Sequence, residues 1–171
     1  MKIFWVFGYG SLMWRPGFDF IERRRARIHG YHRSLCVYSH VHRGTPERPG
    51  LVMGLDRGGS CDGIAYRVGE DSWDATLTYL RSREQVTMVY RELSCRARLV
   101  EEDRPVEAIT YVVNRKHAQY AGKLSVADQL RFVHQGEGES GACRDYVLNT
   151  LDHLREMTIH DGTLEHLAAR L

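Results

Sequence analysis

The sequence of 171 residues lacks a long apolar run, and its four cysteines are scattered singly. No stretch reaches membrane-spanning length, and the N-terminal apolar run is too short for a secretory signal, so we expect no membrane segment. Because no Cys-x-x-Cys pair occurs, we expect neither a zinc site nor a thioredoxin-like motif. Free thiols fit a reducing compartment, and the sequence therefore predicts a cytoplasmic protein.

A strong charge imbalance is also missing, since 24 Lys and Arg face 22 Asp and Glu. Nucleic-acid-binding surfaces usually have a larger basic excess with interleaved aromatic residues. We therefore interpret the arginine-rich stretch 23–27 as a solvated surface segment and expect no nucleic-acid partner. The length and the 43% of hydrophobic residues predict a single domain over residues 1–171 with a substantial core.

Apolar runs and turn residues predict strands in the first two thirds of the chain and mainly helices afterwards. The predicted strands are 3–7, 26–38, 51–55, 61–68, 86–91, 95–100 and 106–113, and the predicted helices are 71–84, 125–134, 142–157 and 161–171. Gly58-Gly59 predicts a hairpin turn, and Ser125 with Asp128 predicts a helix cap. This order indicates an α+β fold with a mainly antiparallel or mixed sheet.

The stretch Phe7-Gly8-Tyr9-Gly10-Ser11-Leu12 follows the first predicted strand. Glycines at 8 and 10 allow a sharp turn and let a ligand approach the backbone closely. The Ser11 hydroxyl beside a row of backbone N–H groups suits a carboxylate or a developing oxyanion. An ordinary tight turn is the alternative interpretation of this stretch.

Glu84 is the unusual residue of the 71–84 helix. Trp73, Leu77 and Leu80 form an apolar stripe, and the same spacing places Glu84 on that face at the C-terminal end of the helix. Apolar surroundings and the negative end of the helix dipole both disfavour an ionised carboxylate, so we expect a raised pKa. The alternative is a surface carboxylate paired with Arg81 or Arg83.

Three further patterns in the sequence do not predict a cofactor site, a metal site or a serine nucleophile. The glycine-rich segment 136–141 matches a dinucleotide fingerprint, but it follows a helix rather than a strand, so we interpret it as a loop between helices. His40 and His42 have no further ligand at a recognised metal spacing. Ser11 is not in a G-x-S-x-G elbow. We therefore expect no metal and no cofactor.

Six ordered motifs and several late residues carry a family likeness over nearly the whole chain. They are Phe7–Leu12, Gly30–Arg33, Arg43–Pro46, Gly58–Tyr66, Tyr79–Glu84 and His117–Gly122, followed by Tyr146, Thr150 and Asp161–Leu164. In this pattern the chain resembles the ChaC family of γ-glutamylcyclotransferases.

The resemblance implies a mixed α+β fold built on a small β-barrel with flanking helices. It implies an enzyme that converts glutathione, a small-molecule substrate, to 5-oxoproline and cysteinylglycine. It further implies that Glu84 is the catalytic acid/base and that Tyr9, Gly10, Ser11 and Leu12 hold the γ-glutamyl group. No metal, nucleotide or covalent intermediate is needed for this reaction.

Three further residues are candidate substrate contacts. Tyr90 and Tyr120 are proposed as hydroxyl-bearing walls of the pocket, with buried core tyrosines as the alternative. Arg43 is proposed to meet the glycyl carboxylate, with a solvated loop arginine as the alternative. The sequence departs from the family pattern Thr-Gly-x-Tyr at one position, since this chain has Thr87-Met88-Val89-Tyr90 with Met88 in place of the glycine. A Met88 side chain that faces inward would crowd or reshape the pocket.

Two other functions stay open at this point. A cyclotransferase acting on other γ-glutamyl amino acids or amines would share Glu84 and the loop but differ at the leaving group. A non-catalytic γ-glutamyl-binding or regulatory module would keep the pocket without turnover. The sequence does not predict the oligomeric state.

Overall fold

The computed structural model describes residues 4–171, which form two compact units. The first unit holds the described residues up to Arg33 together with Leu55–Asn114, and the second holds Ser34–Gly54 together with Arg115–Leu171. Ile3, which the sequence prediction included in the first strand, lies outside the described residues.

Five strands form a closed barrel in the order β1-β3-β2-β4-β5. Their bounds are Phe4–Gly8 (β1), Glu22–Ser39 (β2), Gly50–Val68 (β3), Tyr90–Leu99 (β4) and Arg104–Val113 (β5). Most neighbours are antiparallel, as in the ten-residue ladder between β4 and β5. The closing pair of β1 and β5 is parallel, with Trp5 opposite Ala108 and Val6 opposite Ile109. The predicted α+β fold with a small mixed barrel is therefore confirmed.

The predicted hairpin at Gly58-Gly59 is wrong. Residues 50–68 form one strand, and both glycines lie inside it with positive φ angles of 105° and 69°. Glycine reaches these angles without steric cost, so the pair lets a long strand bend without reversing its direction. The sequence predicted a chain reversal at this pair, whereas the structure has a single strand that continues through both glycines.

The two strands predicted at 86–91 and 95–100 are a single strand, β4, and residues 85–89 are a loop. This loop follows helix α1 (Glu70–Glu84), which begins after Gly69 without a side-chain cap, so the predicted cap at Asp71 or Ser72 is wrong. The helix packs its apolar face on a buried cluster of the first unit, which consists of Val6, Leu12, Val68, Leu80 and Tyr111.

Met88 stands at the position where the family resemblance predicts a glycine, and it has the backbone conformation that favours glycine. Its φ is +59°, and its side chain is 59% exposed, so it does not fill the packed interior. A left-handed conformation costs a non-glycine residue about 1–2 kcal/mol. Glycine avoids this cost, but it loses more conformational freedom on folding than other residues, which lowers the free energy of unfolding by about 0.5–1 kcal/mol relative to alanine.

We expect Met88→Gly to raise the free energy of unfolding by about 0.5–1 kcal/mol, the difference of these two costs. Urea denaturation of both proteins measures the change. Met88→Ala is the matched control, because it removes the same exposed side chain but keeps the strained backbone. A gain of equal size in Met88→Ala would assign the effect to the side chain instead.

The second unit contains the remaining helices, which are α2 (Val126–Gln135), α3 (Cys143–Glu156) and α4 (Gly162–Ala168). The predicted cap of α2 is confirmed, since the Ser125 hydroxyl accepts a hydrogen bond from the amide of Asp128 at 3.1 Å. The glycine-rich segment is more ordered than the predicted loop, because two short strands, β6 (Glu137–Gly138) and β7 (Gly141–Ala142), pair within it.

Candidate functional site

The loop after β1 closes into a short 3₁₀ turn over Ser11–Met13. The amide of Met13 donates to the Gly10 carbonyl at 2.9 Å, so the amides of Ser11 and Leu12 come before the first bond of the turn and have no acceptor inside it. Glycine is needed at position 8, because a Cβ there would lie 2.9 Å from the Cβ of Leu12. The turn thus presents donors beside an exposed Ser11.

Two buried side chains from the barrel fix this loop. The Tyr66 hydroxyl lies 2.9 Å from the carbonyl of Leu12 and 2.8 Å from that of Met13. Arg33, which is 8% exposed, donates through Nε to the Tyr9 carbonyl at 2.7 Å. Because both anchors bind backbone carbonyls, they set the path of the loop independently of its side chains. Leu12 itself is 5% exposed and belongs to the core cluster, so it offers the site mainly its backbone.

Glu84 is the last residue of α1, and its side chain is 17% exposed. Burial raises the pKa of this carboxyl above its ordinary value, and the nearby Arg83 cation opposes part of that rise. The raised pKa agrees with the expectation from the apolar stripe. The alternative of a surface carboxylate paired with an arginine is wrong about exposure, but the pairing with Arg83 is confirmed.

That arginine links Glu84 to the loop. The Arg83 Nε lies 3.6 Å from the Glu84 Oε1, and the Arg83 Nη2 donates to the Ser11 Oγ at 2.7 Å. A carboxylate and a hydroxyl separated by 73 positions in the chain are therefore joined through one guanidinium. The other predicted partner, Arg81, binds Glu92 instead with two hydrogen bonds of 3.0 Å.

Two tyrosines of the first unit lie around this arrangement. Tyr90, a predicted pocket wall, is partly buried and packs against the core cluster that contains Leu12. Tyr111 is almost fully buried, and its hydroxyl donates to Glu92 at 2.8 Å. Burial is the largest cause of the raised pKa of Tyr111, and the Glu84 carboxylate adds to it. Tyr111 is thus a charge-sensitive neighbour of Glu84 that the sequence interpretation missed.

The other two predicted contacts belong to the second unit. Tyr120 forms an isolated antiparallel bridge with Val37, and the Arg115 guanidinium lies 5.7 Å from the centre of its ring. Arg43 is not a solvated loop arginine. Its Nη1 donates to the Ala142 carbonyl at 3.1 Å, and its guanidinium lies 5.5 Å from the centre of the Tyr146 ring.

Comparison with known proteins identifies the family of this chain. Residues 4–171 match the ChaC-like protein family. This chain belongs to that family. A glutathione-specific γ-glutamylcyclotransferase of Escherichia coli K12 is 31% identical over 163 residues, which cover 95% of this chain and 70% of the relative. The human glutathione-specific γ-glutamylcyclotransferase 1 is 32% identical over 169 residues, covering 96% and 75% of the two chains.

The fold of this ChaC-like chain is also similar to solved structures. The crystal structure of a yeast γ-glutamyl cyclotransferase specific to glutathione gives a TM-score of 0.86 and covers 99% of this chain and 95% of the yeast chain. The sequence identity is 22%, so this likeness concerns the fold. It confirms the γ-glutamylcyclotransferase-like fold that the motifs predicted.

Two absences complete the description of the ChaC-like chain. Within residues 4–171, no group of three or more His, Cys, Asp or Glu side chains is arranged to hold a metal ion. Over the same residues, no helix is both long and apolar enough to cross a membrane.

The sequence interpretation missed the anchoring residues Arg33 and Tyr66. Both stand inside motifs that carried the family resemblance, Gly30–Arg33 and Gly58–Tyr66, but their partners are backbone carbonyls of a distant loop. A contact of this kind leaves no spacing signal in a single sequence. The available signal was only that both residues occur within motifs.

Proposed function

We propose that this chain is a γ-glutamylcyclotransferase that converts glutathione to 5-oxoproline and cysteinylglycine. The observation that carries the proposal is the mostly buried Glu84 carboxylate, linked through one arginine to the Ser11 hydroxyl. Relatives that bear the name of this activity, and align over 95% or more of the chain, support the same assignment.

In the proposed reaction, the α-amino nitrogen of the substrate attacks its own γ-carbonyl carbon. A C–N bond forms to close the five-membered lactam, and the C–N bond to the cysteine residue breaks. The α-ammonium loses two protons to become the lactam N–H, while the leaving nitrogen gains two to become the ammonium of cysteinylglycine. The proton balance closes within the substrate, so one carboxylate can take up and return protons and end as it began.

We assign this proton transfer to Glu84. A carboxylate with a raised pKa is a better proton acceptor near neutral pH than an ordinary glutamate, and its protonated form can then donate to the leaving nitrogen. The loop Tyr9–Leu12 is proposed to hold the γ-glutamyl group. The amides of Ser11 and Leu12, with the Ser11 hydroxyl, are suitable donors for the substrate carboxylate or the oxyanion of the tetrahedral intermediate.

Purified protein incubated with glutathione tests the proposal directly. We expect 5-oxoproline and cysteinylglycine to appear in equal amounts by mass spectrometry. γ-Glutamyl amino acids and amines run in parallel, because turnover of these compounds without glutathione cleavage would move the assignment to a different γ-glutamyl substrate. Binding of glutathione by calorimetry without any product would instead support a non-catalytic module.

Tyr90, Tyr120 and Arg43 stay proposed substrate contacts, and Arg43 allows the sharpest test. If its guanidinium binds the glycyl carboxylate, we expect Arg43→Gln to raise the KM for glutathione by about tenfold. Glutathione with an amidated glycine is the matched substrate, and its KM should not change. Equal increases for both substrates would indicate that Arg43 acts only through its bond to Ala142.

We also propose a cytosolic location without a nucleic-acid partner. Three of the four free cysteines are buried and Cys95 is partly buried, as is typical of proteins in a reducing compartment. In the basic stretch, Arg24 pairs with Glu22 and Arg27 pairs with Asp62, so part of its charge is neutralised locally.

A further inference from the structure

The Arg83 guanidinium uses each of its three nitrogens on a different part of the site. Nη1 donates to the Arg15 carbonyl at 2.7 Å and to the Tyr79 hydroxyl at 3.0 Å. Nη2 donates to the Ser11 Oγ at 2.7 Å, and Nε lies 3.6 Å from the Glu84 Oε1. One planar group therefore contacts the last turn of α1, the first residue of the 3₁₀ turn and Arg15, two residues after that turn ends.

Arginine is specifically suited to this arrangement. Its five N–H donors point in fixed directions within one plane, whereas a lysine ammonium is a single point that cannot reach acceptors on several sides. The surroundings hold the group in place, since its side chain is only 21% exposed. Gly17, with a φ of +74°, packs directly against the Tyr79 ring where a Cβ would collide, so the loop and the helix are in close contact here.

We infer that Arg83 is a positioning residue that holds the Ser11 turn and the Glu84 carboxylate in a fixed mutual arrangement. This inference rests on the proposed function, because it gives Arg83 a role through Glu84 and the loop rather than through the substrate. It differs from a structural ion pair, since the pair alone would not require the bonds to Ser11 and Arg15.

The charges around Glu84 decide the expected pH effect. Arg83, on the same helix, is the cation that acts on Glu84, and the Glu84 carboxylate in turn adds to the raised pKa of Tyr111 on β5. The Tyr111 hydroxyl donates to Glu92 of β4, and Glu92 forms an ion pair with Arg81, the other arginine in the last turn of α1. Arg83 is thus the charge that opposes the rise in the pKa of Glu84 caused by burial. Without the cation, that pKa rises further, and a higher pH is needed to ionise the base.

The test compares Arg83→Gln and Arg83→Lys with the wild-type protein in glutathione turnover against pH. We expect Arg83→Gln to move the acid limb of kcat/KM upward by about one pH unit. Arg83→Lys keeps the positive charge but loses the planar set of N–H donors. The acid limb of its kcat/KM profile should therefore move less than that of Arg83→Gln, while its KM for glutathione still rises. Arg96→Gln, which removes an exposed arginine from β4, is the matched control and should leave both quantities unchanged.

A second readout does not depend on turnover. A ¹³C NMR titration of the side-chain carboxyls, with the Glu84 signal assigned by its loss in Glu84→Gln, should show the same upward pKa shift in Arg83→Gln. An unchanged Glu84 titration and acid limb in a folded Arg83→Gln protein would overturn the inference. If the wild-type protein forms no 5-oxoproline, the proposed function fails. The titration then still decides whether Arg83 controls Glu84.

Discussion

Glu84→Gln is expected to lower 5-oxoproline formation from glutathione by about 10²- to 10⁴-fold, the usual contribution of a general acid/base. The amide has nearly the shape of the carboxylate, but it cannot cycle a proton. The substrate pocket should stay intact, so we expect glutathione binding to change little in calorimetry. Rates are measured by mass spectrometry under saturating substrate.

The stability of Glu84→Gln separates lost chemistry from a lost fold. A pKa raised in the folded state means that the folded protein binds the Glu84 proton more tightly than the unfolded chain. This stabilisation is present at low pH and disappears as the pH rises through the folded pKa. The variant should therefore unfold at the same or a higher temperature than the wild type at pH 8.

Glu107→Gln is the matched control, since it removes an exposed carboxylate from β5 and should keep full activity. Turnover by Glu84→Gln at near the wild-type rate would remove Glu84 from the mechanism. Unfolding of Glu84→Gln at a lower temperature than the wild type at pH 8 would indicate a structural role for Glu84 instead.

Arg33→Met is expected to lower the free energy of unfolding by about 3 kcal/mol, because it removes a buried charged donor from two carbonyls. The Arg33 Nε binds the Tyr9 carbonyl at 2.7 Å, and its Nη2 binds the Asp62 carbonyl at 2.6 Å. Methionine fills most of the volume but donates nothing. Since Tyr9 directly precedes Gly10, we also expect about a tenfold loss of kcat/KM from misplacement of the loop.

Urea denaturation and glutathione turnover measure the two effects. Arg27→Met is the control on the same strand, because Arg27 binds the carboxylate of Asp62 at the surface. Exposed ion pairs contribute little, so this variant should keep the wild-type stability and activity. Equal losses in both variants would mean that the charge near Asp62 matters rather than the buried bond to Tyr9.

Local patterns in the sequence predicted the parts of this molecule that local physics controls. The helical spacing of Trp73, Leu77 and Leu80 placed Glu84 on a buried face, and burial is the largest cause of its raised pKa in the structure. The cap at Ser125 is equally local, since donor and acceptor are three residues apart.

The remaining features depend on contacts between distant segments. A Gly-Gly pair has the same signature whether it reverses the chain or bends a strand, and only pairing with neighbouring strands decides between them. Arg83 was considered as a partner of Glu84, but its bond to Ser11 joins α1 to a loop 72 positions earlier. Such contacts follow from the barrel topology, which the family resemblance supplied and periodicity did not.

The parallel pairing of β1 with β5 has a consequence for synthesis of the protein. Val6 leaves the ribosome early, but Ile109, its partner across the closing pair, follows 103 residues later. At about 5–20 residues per second, the growing chain holds one edge of its first strand unpaired for roughly 5–20 s. The Thr110 hydroxyl, which binds the Phe7 carbonyl just before the loop, arrives equally late. Nascent chains shorter than about 113 residues therefore cannot close the barrel, and their open edge is available for pairing with other chains.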